Sequence, residues 1–233
     1  MISVIIPVYN QGKKLVATLE SLLKQSYQDF EVIIVNDAST DDVETRVEKF
    51  ISSNTIKQKI LFLRNQANLG APASRNRGYN NSKGEYLLFS DADAVLKPNA
   101  LETMVFTLDN NSDVDFVFSS FNWGRKVFKL EEFSIERLQE GPFIHTMSML
   151  RREAMPEGAW DESLKKLQDW DFFLTIAESG KKGLFIDQVL FTIKPGGSIS
   201  SWVPSFVYKL FPFLPVVKKY NRAVEIVKKK HNL

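Results

Sequence analysis

The chain has 233 residues, of which 44% are hydrophobic and 25% charged, and its formal net charge is +2. This composition is typical of a soluble globular protein, and the near balance of charges gives no global field that would favour nucleic acid as the main partner. The sequence has no cysteine, which excludes disulfides, thiolate zinc sites and cysteine nucleophiles and fits a reducing cytoplasm.

The first 120 residues alternate short apolar runs with amphipathic helical patterns. The opening MISVIIPVYN has no basic region ahead of its apolar residues, so it predicts a first strand and not a signal peptide. Strands are predicted, in chain order, at 3–8, 31–37, 60–64, 85–90 and 115–120. Helices are predicted between them, in segments that contain Leu15 to Leu23, Val43 to Ile51, 71–83 and Leu101 to Leu108. Candidate caps are Asn10 for the first helix or its approach, and Ser39, Thr40 or Asp41 for the second.

Strands without polar alternation are buried on both faces, and strands that alternate with helices build a mostly parallel sheet. We therefore predict an α/β fold with a doubly wound, mostly parallel sheet flanked by helices. Ligands of such sheets bind at the carboxyl ends of the strands. Asp37, Asp91 and Asp93 come just after predicted strands, so these are the acidic groups expected at that edge.

The second half of the chain is less regular. A short helix is predicted around 131–139, a strand at 145–151, and a helix at 169–179 that Gly180 ends. No apolar run reaches the ~20 residues that a membrane-spanning helix needs. Because the sequence has no repeat and no evident linker, we predict one domain with an elaborated C-terminal half.

The segment LLFSDAD places two carboxylates, Asp91 and Asp93, behind the fourth predicted strand. Mg²⁺ and Mn²⁺ prefer oxygen ligands, and Mg²⁺ sites commonly combine one or two carboxylates with substrate phosphates. The alternative is that Asp93 caps a turn before Pro98 while Asp91 is solvated, since aspartate is common at turns. The tripeptide alone leaves both interpretations open.

Two further segments contain candidate binding residues. The carboxylate of Asp37 can accept hydrogen bonds from a base or a ribose, whereas the polar run after it is equally suited to capping. Arg75, in NLGAPASRNRG, has a planar guanidinium that matches phosphate or carboxylate, and the alternative is an ordinary surface arginine. The chain has neither a P-loop pattern nor G-x-G-x-x-G, which argues against the commonest kinases and dehydrogenases.

Late in the chain, QDWDFF supplies Asp169 and Asp171 near a predicted helix start. Asp169 is either a carboxylate that the helix dipole favours or a general base that faces the cleft. The two histidines, His145 and His231, have no metal-ligand spacing. We expect His145 to be a core or acceptor-site residue and not a catalytic one.

Six segments in this order resemble the family 2 glycosyltransferases, inverting enzymes of the GT-A fold that transfer a sugar from a nucleotide diphosphate donor. The segments are SVIIPVYN, VNDASTD, NLGAPASRNRG, LLFSDAD, MLRRE and the stretch from WDESL to QDWDFF, and they cover residues 2 to about 180. The resemblance implies a GT-A domain at 1–200, with a nucleotide-sugar-binding half at 1–120 and an acceptor and catalytic-base half at 121–200. Residues 201–233 are then a C-terminal aromatic and basic arm.

The resemblance also implies roles for single residues. Asp93 would bind a Mn²⁺ or Mg²⁺ ion that bridges the diphosphate, and Asp169 would be the general base. The nucleotide-binding residues would be Pro7, Tyr9, Asp37, Arg75 and Asp91, with Asp37 at the imino group of a uracil-like base, Arg75 near the diphosphate and Asp91 at the ribose.

Two positions depart from the family pattern. Gln168 stands where the family has a glutamate beside the base, and Lys194 stands where many relatives have a histidine. A lysine there would be a candidate contact to the diphosphate, which its charge neutralises. The Q-x-x-R-W signature of polymerising relatives does not follow, so we expect transfer of a single sugar from a UDP-linked donor.

Residues 202–217 are rich in aromatic and aliphatic groups, contain three prolines and no acid, and lead into a basic tail. The region 202–230 suits an anionic membrane surface, and the alternative is an arm packed on the domain or on a second subunit of a homodimer. The resemblance implies a saccharide or lipid-linked saccharide acceptor and a cytoplasmic enzyme, at the inner face of the membrane if the arm binds lipid. The competing hypotheses are a non-catalytic sugar-nucleotide-binding protein and a nucleotidyltransferase.

Overall fold

The computed structural model describes residues 1–54, 59–196 and 213–233. Its strands are β1 (Ile2–Val8), β2 (Phe30–Asn36), β3 (Ile60–Arg64), β4 (Tyr86–Phe89), β5 (Ala94–Leu96), β6 (Phe116–Trp123), β7 (Lys126–Phe128), β8 (Met149–Arg151) and β9 (Gly183–Ile193). Its helices are α1 (Gly12–Leu23), α2 (Val43–Ser53), α3 (Ala71–Asn80), α4 (Ala100–Asp109), α5 (Ile135–Glu140), α6 (Gln168–Glu178) and α7 (Pro215–Lys230), and a 3₁₀ turn covers Arg152–Ala154.

The strands form one sheet in the order β3-β2-β1-β4-β8-β6-β9-β5, with β7 paired to β6. Neighbours from β3 to β4 are parallel, and so are β6 and β9, whereas β8 runs antiparallel to both β4 and β6. This mostly parallel α/β sheet with helices on its faces is the predicted fold class. The order places the carboxyl ends of β1, β2 and β4 side by side, where the predicted site residues follow.

Period-two alternation along each central strand supplies two separate hydrophobic cores, one on each face of the sheet. In β1, Val4 and Ile6 belong to the first core and Ile5 to the second. Helices α1, α2 and α4 cover the first core, and α6, with its buried Trp170, Phe172 and Phe173, covers the second. Burial on both faces explains why these strands have almost no polar residues.

Most predicted elements are confirmed, with ends that shift by a few residues. The predicted strand at 145–151 is wrong for its first half, because only Met149–Arg151 pairs, with β4 and β6. Strands β5, β7 and β9 are missing from the sequence prediction. β9 is an eleven-residue strand that pairs with β6 along its length and changes register around Ser120, so its polar interruption at Asp187 and Gln188 concealed it.

The C-terminal helix α7 packs on the domain. Val217 and Val227 on one side of it are fully buried, and Val227 belongs to the second core. His231, just behind the helix, places its ring between Asp171 Oδ1 (3.0 Å) and Glu178 Oε2 (2.8 Å) of α6. Of the aromatic stretch predicted at 202–217 to contact a membrane, residues 202–212 lie outside the described residues.

No helix within residues 1–54, 59–196 and 213–233 combines the length and the apolar character needed to cross a bilayer.

Candidate functional site

A cavity of about 460 Å³ opens at the carboxyl edge of the sheet. Seven of the eight predicted site residues line it together: Pro7, Tyr9, Asp37, Arg75, Asp91, Asp93 and Asp169. They come from five segments of the chain. The segments that follow the adjacent parallel strands β1, β2 and β4 meet at the carboxyl edge of the sheet. The eighth, Lys194, is solvent-exposed, and its backbone N–H donates to the carbonyl oxygen of Asp93 (3.0 Å).

Asp37 is a buried carboxylate that organises the loop in front of α3. Its Oδ1 accepts hydrogen bonds from Asn65 Nδ2 (2.7 Å) and from the backbone N–H of Leu69 (2.9 Å), and its Oδ2 accepts from the N–H of Gly70 (2.8 Å). Asp37 is 3% exposed and reaches the cavity wall. The same carboxylate therefore supports the loop and borders the cavity.

Asn65 is a structural partner of this wall that the sequence reasoning did not single out. It is 1% exposed, donates to both Asp37 and Ser74, and accepts a hydrogen bond from Arg77 at 2.6 Å. Its position directly after β3, matching Asp37 after β2, was the available signal in the sequence.

The loops after β1 and β2 cap each other. Asn10 does not cap α1 with its side chain, because its Oδ1 accepts from the backbone N–H groups of Thr40 and Asp41. In return, Asp41 Oδ2 accepts from the N–H of Gly12, the first residue of α1 (2.9 Å). Ser39, Thr40 and Asp41 were predicted to cap α2, but Asp42 holds that position without a side-chain hydrogen bond. These contacts hold together the two loops that begin with Tyr9 and Asp37.

Arg75 is a buried cation, which excludes the alternative of an ordinary surface arginine. It is 5% exposed, its guanidinium lies 4.5 Å from the ring centre of Trp160, and its Nη1 donates to Gln168 Oε1 (3.1 Å). Its Nη2 is 3.5 Å from Asp91 Oδ1, and its Nε is buried with no hydrogen-bond partner in the described residues. Burial lowers the pKa of Arg75, and the carboxylates of Asp91 and Asp169 act in the opposite direction. A guanidinium with donor capacity left over in a cavity wall is suited to an anionic ligand.

His145 lines the cavity, as expected of an acceptor-site residue. Its Nδ1 accepts from the N–H of Met147 (3.1 Å), so Nε2 carries the proton, and this atom is 3.8 Å from Asp91 Oδ2. The ring packs against both Phe121 and Phe191, with centroid distances of 4.7 and 5.3 Å. Its direction towards the cavity is therefore fixed.

Asp93 is 8% exposed and is followed at once by β5, so it does not cap a turn before Pro98. Burial and the negative charge of Asp91 raise the pKa of Asp93, while the nearby ammonium of Lys14 acts in the opposite direction. Lys14 Nζ is 3.5 Å from Asp93 Oδ2. Lys14 was not among the predicted site residues, because the sequence does not distinguish it from its neighbour Lys13.

The carboxylates of Asp91 and Asp93 fit a divalent cation whose remaining ligands come from a phosphate and from water. Within the described residues, no group of three or more His, Cys, Asp or Glu side chains is arranged to hold a metal ion. Asp91 and Asp93 do line the same cavity, and the nitrogen atoms of Lys14, Arg75 and His145 approach their carboxylates only to 3.5 Å or more. Mg²⁺ and Mn²⁺ are commonly held by one or two carboxylates together with substrate phosphate and water oxygens.

Asp169 lies in the first turn of α6, and its Oδ1 accepts a hydrogen bond from the N–H of Trp170 (2.9 Å). Burial raises the pKa of Asp169, and His145, the Trp170 N–H and Arg75 partly offset that effect. A carboxylate with a raised pKa is a stronger base than an ordinary aspartate. Asp171, in contrast, is 3% exposed and bonds to Lys230 and His231, so it points away from the cavity wall that holds Asp169.

Three non-glycine residues with a left-handed backbone lie directly beside residues of the cavity. They are Asn10 (φ 52°), Ala38 (φ 56°) and Leu167 (φ 58°), next to Tyr9, Asp37 and Gln168. Such a conformation costs an L-residue about 1–3 kcal/mol and persists where the surroundings enforce it. Local backbone strain is thus concentrated around the cavity.

The chain is similar to known proteins in both sequence and fold. Residues 3–158 match the model of the family described as glycosyl transferase family 2. The uncharacterized glycosyltransferase MJ1057 of Methanocaldococcus jannaschii is 30% identical over 203 residues, which are 82% of this chain and 69% of that protein. The amylovoran biosynthesis glycosyltransferase AmsB of Erwinia amylovora is 32% identical over 204 residues, 81% of this chain and 67% of that protein.

Two solved structures share the fold. TarS 1-349 of S. aureus, in complex with UDP-GlcNAc, aligns with a TM-score of 0.74 at 22% identity and covers 89% of this chain and 63% of its own. The mannosyltransferase PcManGT of Pyrobaculum calidifontis, in complex with GDP-Man and Mn²⁺, aligns with a TM-score of 0.68 at 19% identity and covers 82% of this chain and 56% of its own. The chain also spans only 62% and 39% of the lengths of two further curated relatives.

Proposed function

Because the chain belongs to glycosyl transferase family 2, we propose that it is an inverting glycosyltransferase that moves one sugar from a nucleotide diphosphate donor to an acceptor hydroxyl. The donor is proposed to be UDP-linked, and the acceptor a saccharide or lipid-linked saccharide in polysaccharide or glycolipid synthesis. One observation carries the proposal: four carboxylates from three segments of the chain and a buried arginine border a single cavity at the strand ends.

The part of the cavity that is lined by residues from the N-terminal half of the chain is assigned to the donor. Tyr9 and Pro7 form an apolar wall beside Asp37, whose carboxylate would accept from the base, and Asp91 would face the ribose. Arg75 would pair with the diphosphate through the guanidinium that lines the cavity. TarS and PcManGT, which share the fold, were solved with UDP-GlcNAc and GDP-Man, which is consistent with a nucleotide-sugar pocket here.

Asp93, with Asp91 beside it, would hold a Mn²⁺ or Mg²⁺ ion. A divalent cation there supplies Lewis-acid stabilisation of the negative charge that builds up on the departing diphosphate. The PcManGT complex contains Mn²⁺, which supports this choice of metal for the shared fold.

Asp169 is proposed to be the general base. The acceptor oxygen forms a bond to the anomeric carbon, the bond from that carbon to the diphosphate oxygen breaks, and the hydroxyl proton passes to Asp169. Attack from the face opposite the leaving group inverts the anomeric configuration. His145, across the cavity with its Nε2–H directed inwards, is placed to orient the acceptor or the donor sugar.

The C-terminal helix is proposed to meet an anionic membrane surface. Its exposed face carries Lys218, Lys219, Arg222 and Lys229, with Glu225 as the acidic residue among them. A cytoplasmic enzyme with lipid-linked acceptors would use this face at the inner side of the membrane. Charge reversal at Lys218, Lys219 and Arg222 should abolish co-sedimentation with anionic liposomes, whereas unchanged binding, or dimerisation through this face, would reject the membrane assignment.

The test of the proposed reaction uses Asp169→Asn. We expect UDP-sugar binding to be retained, while turnover of the preferred donor falls by roughly 10²–10⁴-fold, the usual contribution of a general base. The exposed Asp187→Asn variant on β9 is the matched control and should keep full turnover. Because the pKa of Asp169 is raised, activity should rise with pH through a pKa above that of ordinary aspartate.

Two results would contradict the proposal. A product with retained anomeric configuration, read by NMR, would exclude single displacement, and full turnover in Asp169→Asn would move the base elsewhere. The neutral Gln168 beside Asp169 favours a second candidate, a non-catalytic nucleotide-sugar-binding protein. That protein would bind UDP-sugars but would neither transfer nor hydrolyse them with Mn²⁺.

A further inference from the structure

Lys14 lies where three distant parts of the chain meet beside the cavity. Its ammonium donates to the carbonyl oxygens of Lys194 (3.2 Å) and Pro195 (3.1 Å), just after β9, and approaches Asp93 Oδ2 at 3.5 Å. The side chain is 24% exposed and that of Asp93 is 11% exposed. These contacts join α1, the turn before β5 and the end of β9.

The ammonium of Lys14 and a divalent cation would compete for the carboxylate of Asp93. Lys14 occupies three acceptors, and its charge lies beside the one carboxylate assigned to the metal. Two cations at one partly buried carboxylate repel each other more strongly than they would in water, because the local dielectric constant is lower. The remaining basic side chains nearby, Arg75 and His145, contact Asp91 and not Asp93.

We propose that the ammonium of Lys14 is the counterion of Asp93 when no donor is bound, and that metal binding therefore depends on the donor diphosphate. This inference rests on the proposed function, since it takes Asp93 as the metal ligand. In the free enzyme the ammonium weakens metal binding. When the donor is present, its diphosphate pairs with the ammonium in place of Asp93, so the ammonium no longer opposes the metal, and metal and donor bind with positive coupling. Lys14 acts here as a positioning residue, since it influences the metal site through Asp93.

Linkage makes the proposal quantitative. If UDP raises the affinity for Mn²⁺ by some factor, Mn²⁺ must raise the affinity for UDP by the same factor. Removing the Lys14 charge should tighten Mn²⁺ binding to the free protein while changing binding in the presence of UDP much less. The coupling factor should therefore shrink by about the same amount.

The experiment titrates the full chain with Mn²⁺ alone and with Mn²⁺ plus UDP, and reads bound Mn²⁺ from its paramagnetic resonance signal. Lys14→Met keeps the length of the side chain and removes its charge. Lys13→Met, on the neighbouring exposed lysine of the same helix turn, is the matched control. For Lys14→Met we expect Mn²⁺ affinity without UDP to rise by about tenfold and the coupling factor to fall by about tenfold, whereas Lys13→Met should match the wild type.

The outcomes separate the two levels of the proposal. A gain in metal affinity is not produced by structural damage, so a weaker or unchanged affinity in Lys14→Met overturns the role of Lys14. Asp93→Asn tests the underlying assignment: if it leaves Mn²⁺ binding intact, the metal ligand is wrong, independently of Lys14. If Asp93→Asn abolishes Mn²⁺ binding while Lys14→Met behaves as the wild type, the inference about Lys14 alone fails.

Discussion

Asp171→Asn tests how the C-terminal helix is attached to the domain. The Asp171 carboxylate on α6 contacts two groups at the end of α7, Lys230 Nζ at 2.8 Å and His231 Nε2 at 3.0 Å. Asparagine preserves the shape of the side chain and removes its charge. We expect α7 to be held less firmly and the free energy of unfolding to decrease.

The magnitude follows from the exposure of each partner. The side chains of Asp171 and His231 are 4% and 3% exposed, so their contact is a buried hydrogen bond, for which loss of one partner costs about 1–3 kcal/mol. Lys230 is 39% exposed, and such a contact contributes about 1 kcal/mol or less. The asparagine oxygen can still accept one hydrogen bond, so we expect a net loss of about 2 kcal/mol, equivalent to a fall in Tm of roughly 4–8 °C.

The assay is denaturant unfolding of the full chain, together with amide hydrogen exchange of α7. Asp161→Asn is the matched control, because Asp161 contacts the same Lys230 Nζ (2.7 Å) but not His231, and its side chain is 26% exposed. The variant Asp171→Asn should expose the amides of α7 to faster exchange. It should leave donor turnover per folded molecule close to that of the wild type, because Asp171 is not part of the cavity wall.

Equal destabilisation by the two substitutions would refute the reasoning, because it would mean that the buried histidine contact adds nothing. A loss of turnover comparable to that of Asp169→Asn in folded Asp171→Asn protein would also refute it, and would make Asp171 the base.

Two further predictions concern stability. The contacts to Lys230 and Ser163 lower the pKa of Asp161 to about 2, so this group stabilises the fold above its unfolded pKa near 3.8, and the contribution is lost as the pH falls towards 2. The stability difference between wild type and Asp161→Asn, followed by denaturation between pH 5 and pH 2, should therefore vanish at the acid end, and a constant difference would contradict the pairing. Gly78→Ala would place a Cβ atom 2.3 Å from Ile5 Cγ2, which forces α3 away from β1 and should cost about 1–3 kcal/mol in urea unfolding. Gly141→Ala, whose Cβ meets nothing within 4 Å, is the control and should be nearly neutral.

The central sheet could be predicted because its strands are buried on both faces. The segments of β1, β2 and β4 carry hydrophobic residues at almost every position. Few structures other than a buried strand fit so short an apolar segment. Asp37 and Asp91 were located by the same reasoning, since residues that follow adjacent parallel strands must meet at one edge.

The parts that sequence reasoning missed depend on contacts between distant segments. β9 contains the polar pair Asp187 and Gln188 where its register with β6 shifts, so the run does not match a simple strand pattern. Lys14 has the same local sequence signal as Lys13, and only the approach of β9 and Asp93 distinguishes the two. Asn10 has the composition of a helix cap, but the facing loop offers its oxygen two backbone donors, and those contacts determine its position.

The contact between Lys14 and the end of β9 has a consequence for biosynthesis. Lys194 and Pro195, whose carbonyl oxygens accept from Lys14, lie 180 and 181 positions after it in the chain. Asp93 lies between Lys14 and these two residues in sequence. At the usual rate of translation, roughly 5–20 residues per second, the ribosome needs about 5–20 s to proceed from Asp93 to Pro195. Throughout that interval strands β1, β2, β3 and β4 of the nascent chain can already pair with one another. The ammonium of Lys14, however, still lacks the carbonyl oxygens of Lys194 and Pro195. The Asp93 site is therefore among the last parts of the nascent domain to be completed, after the parallel strands β1 to β4.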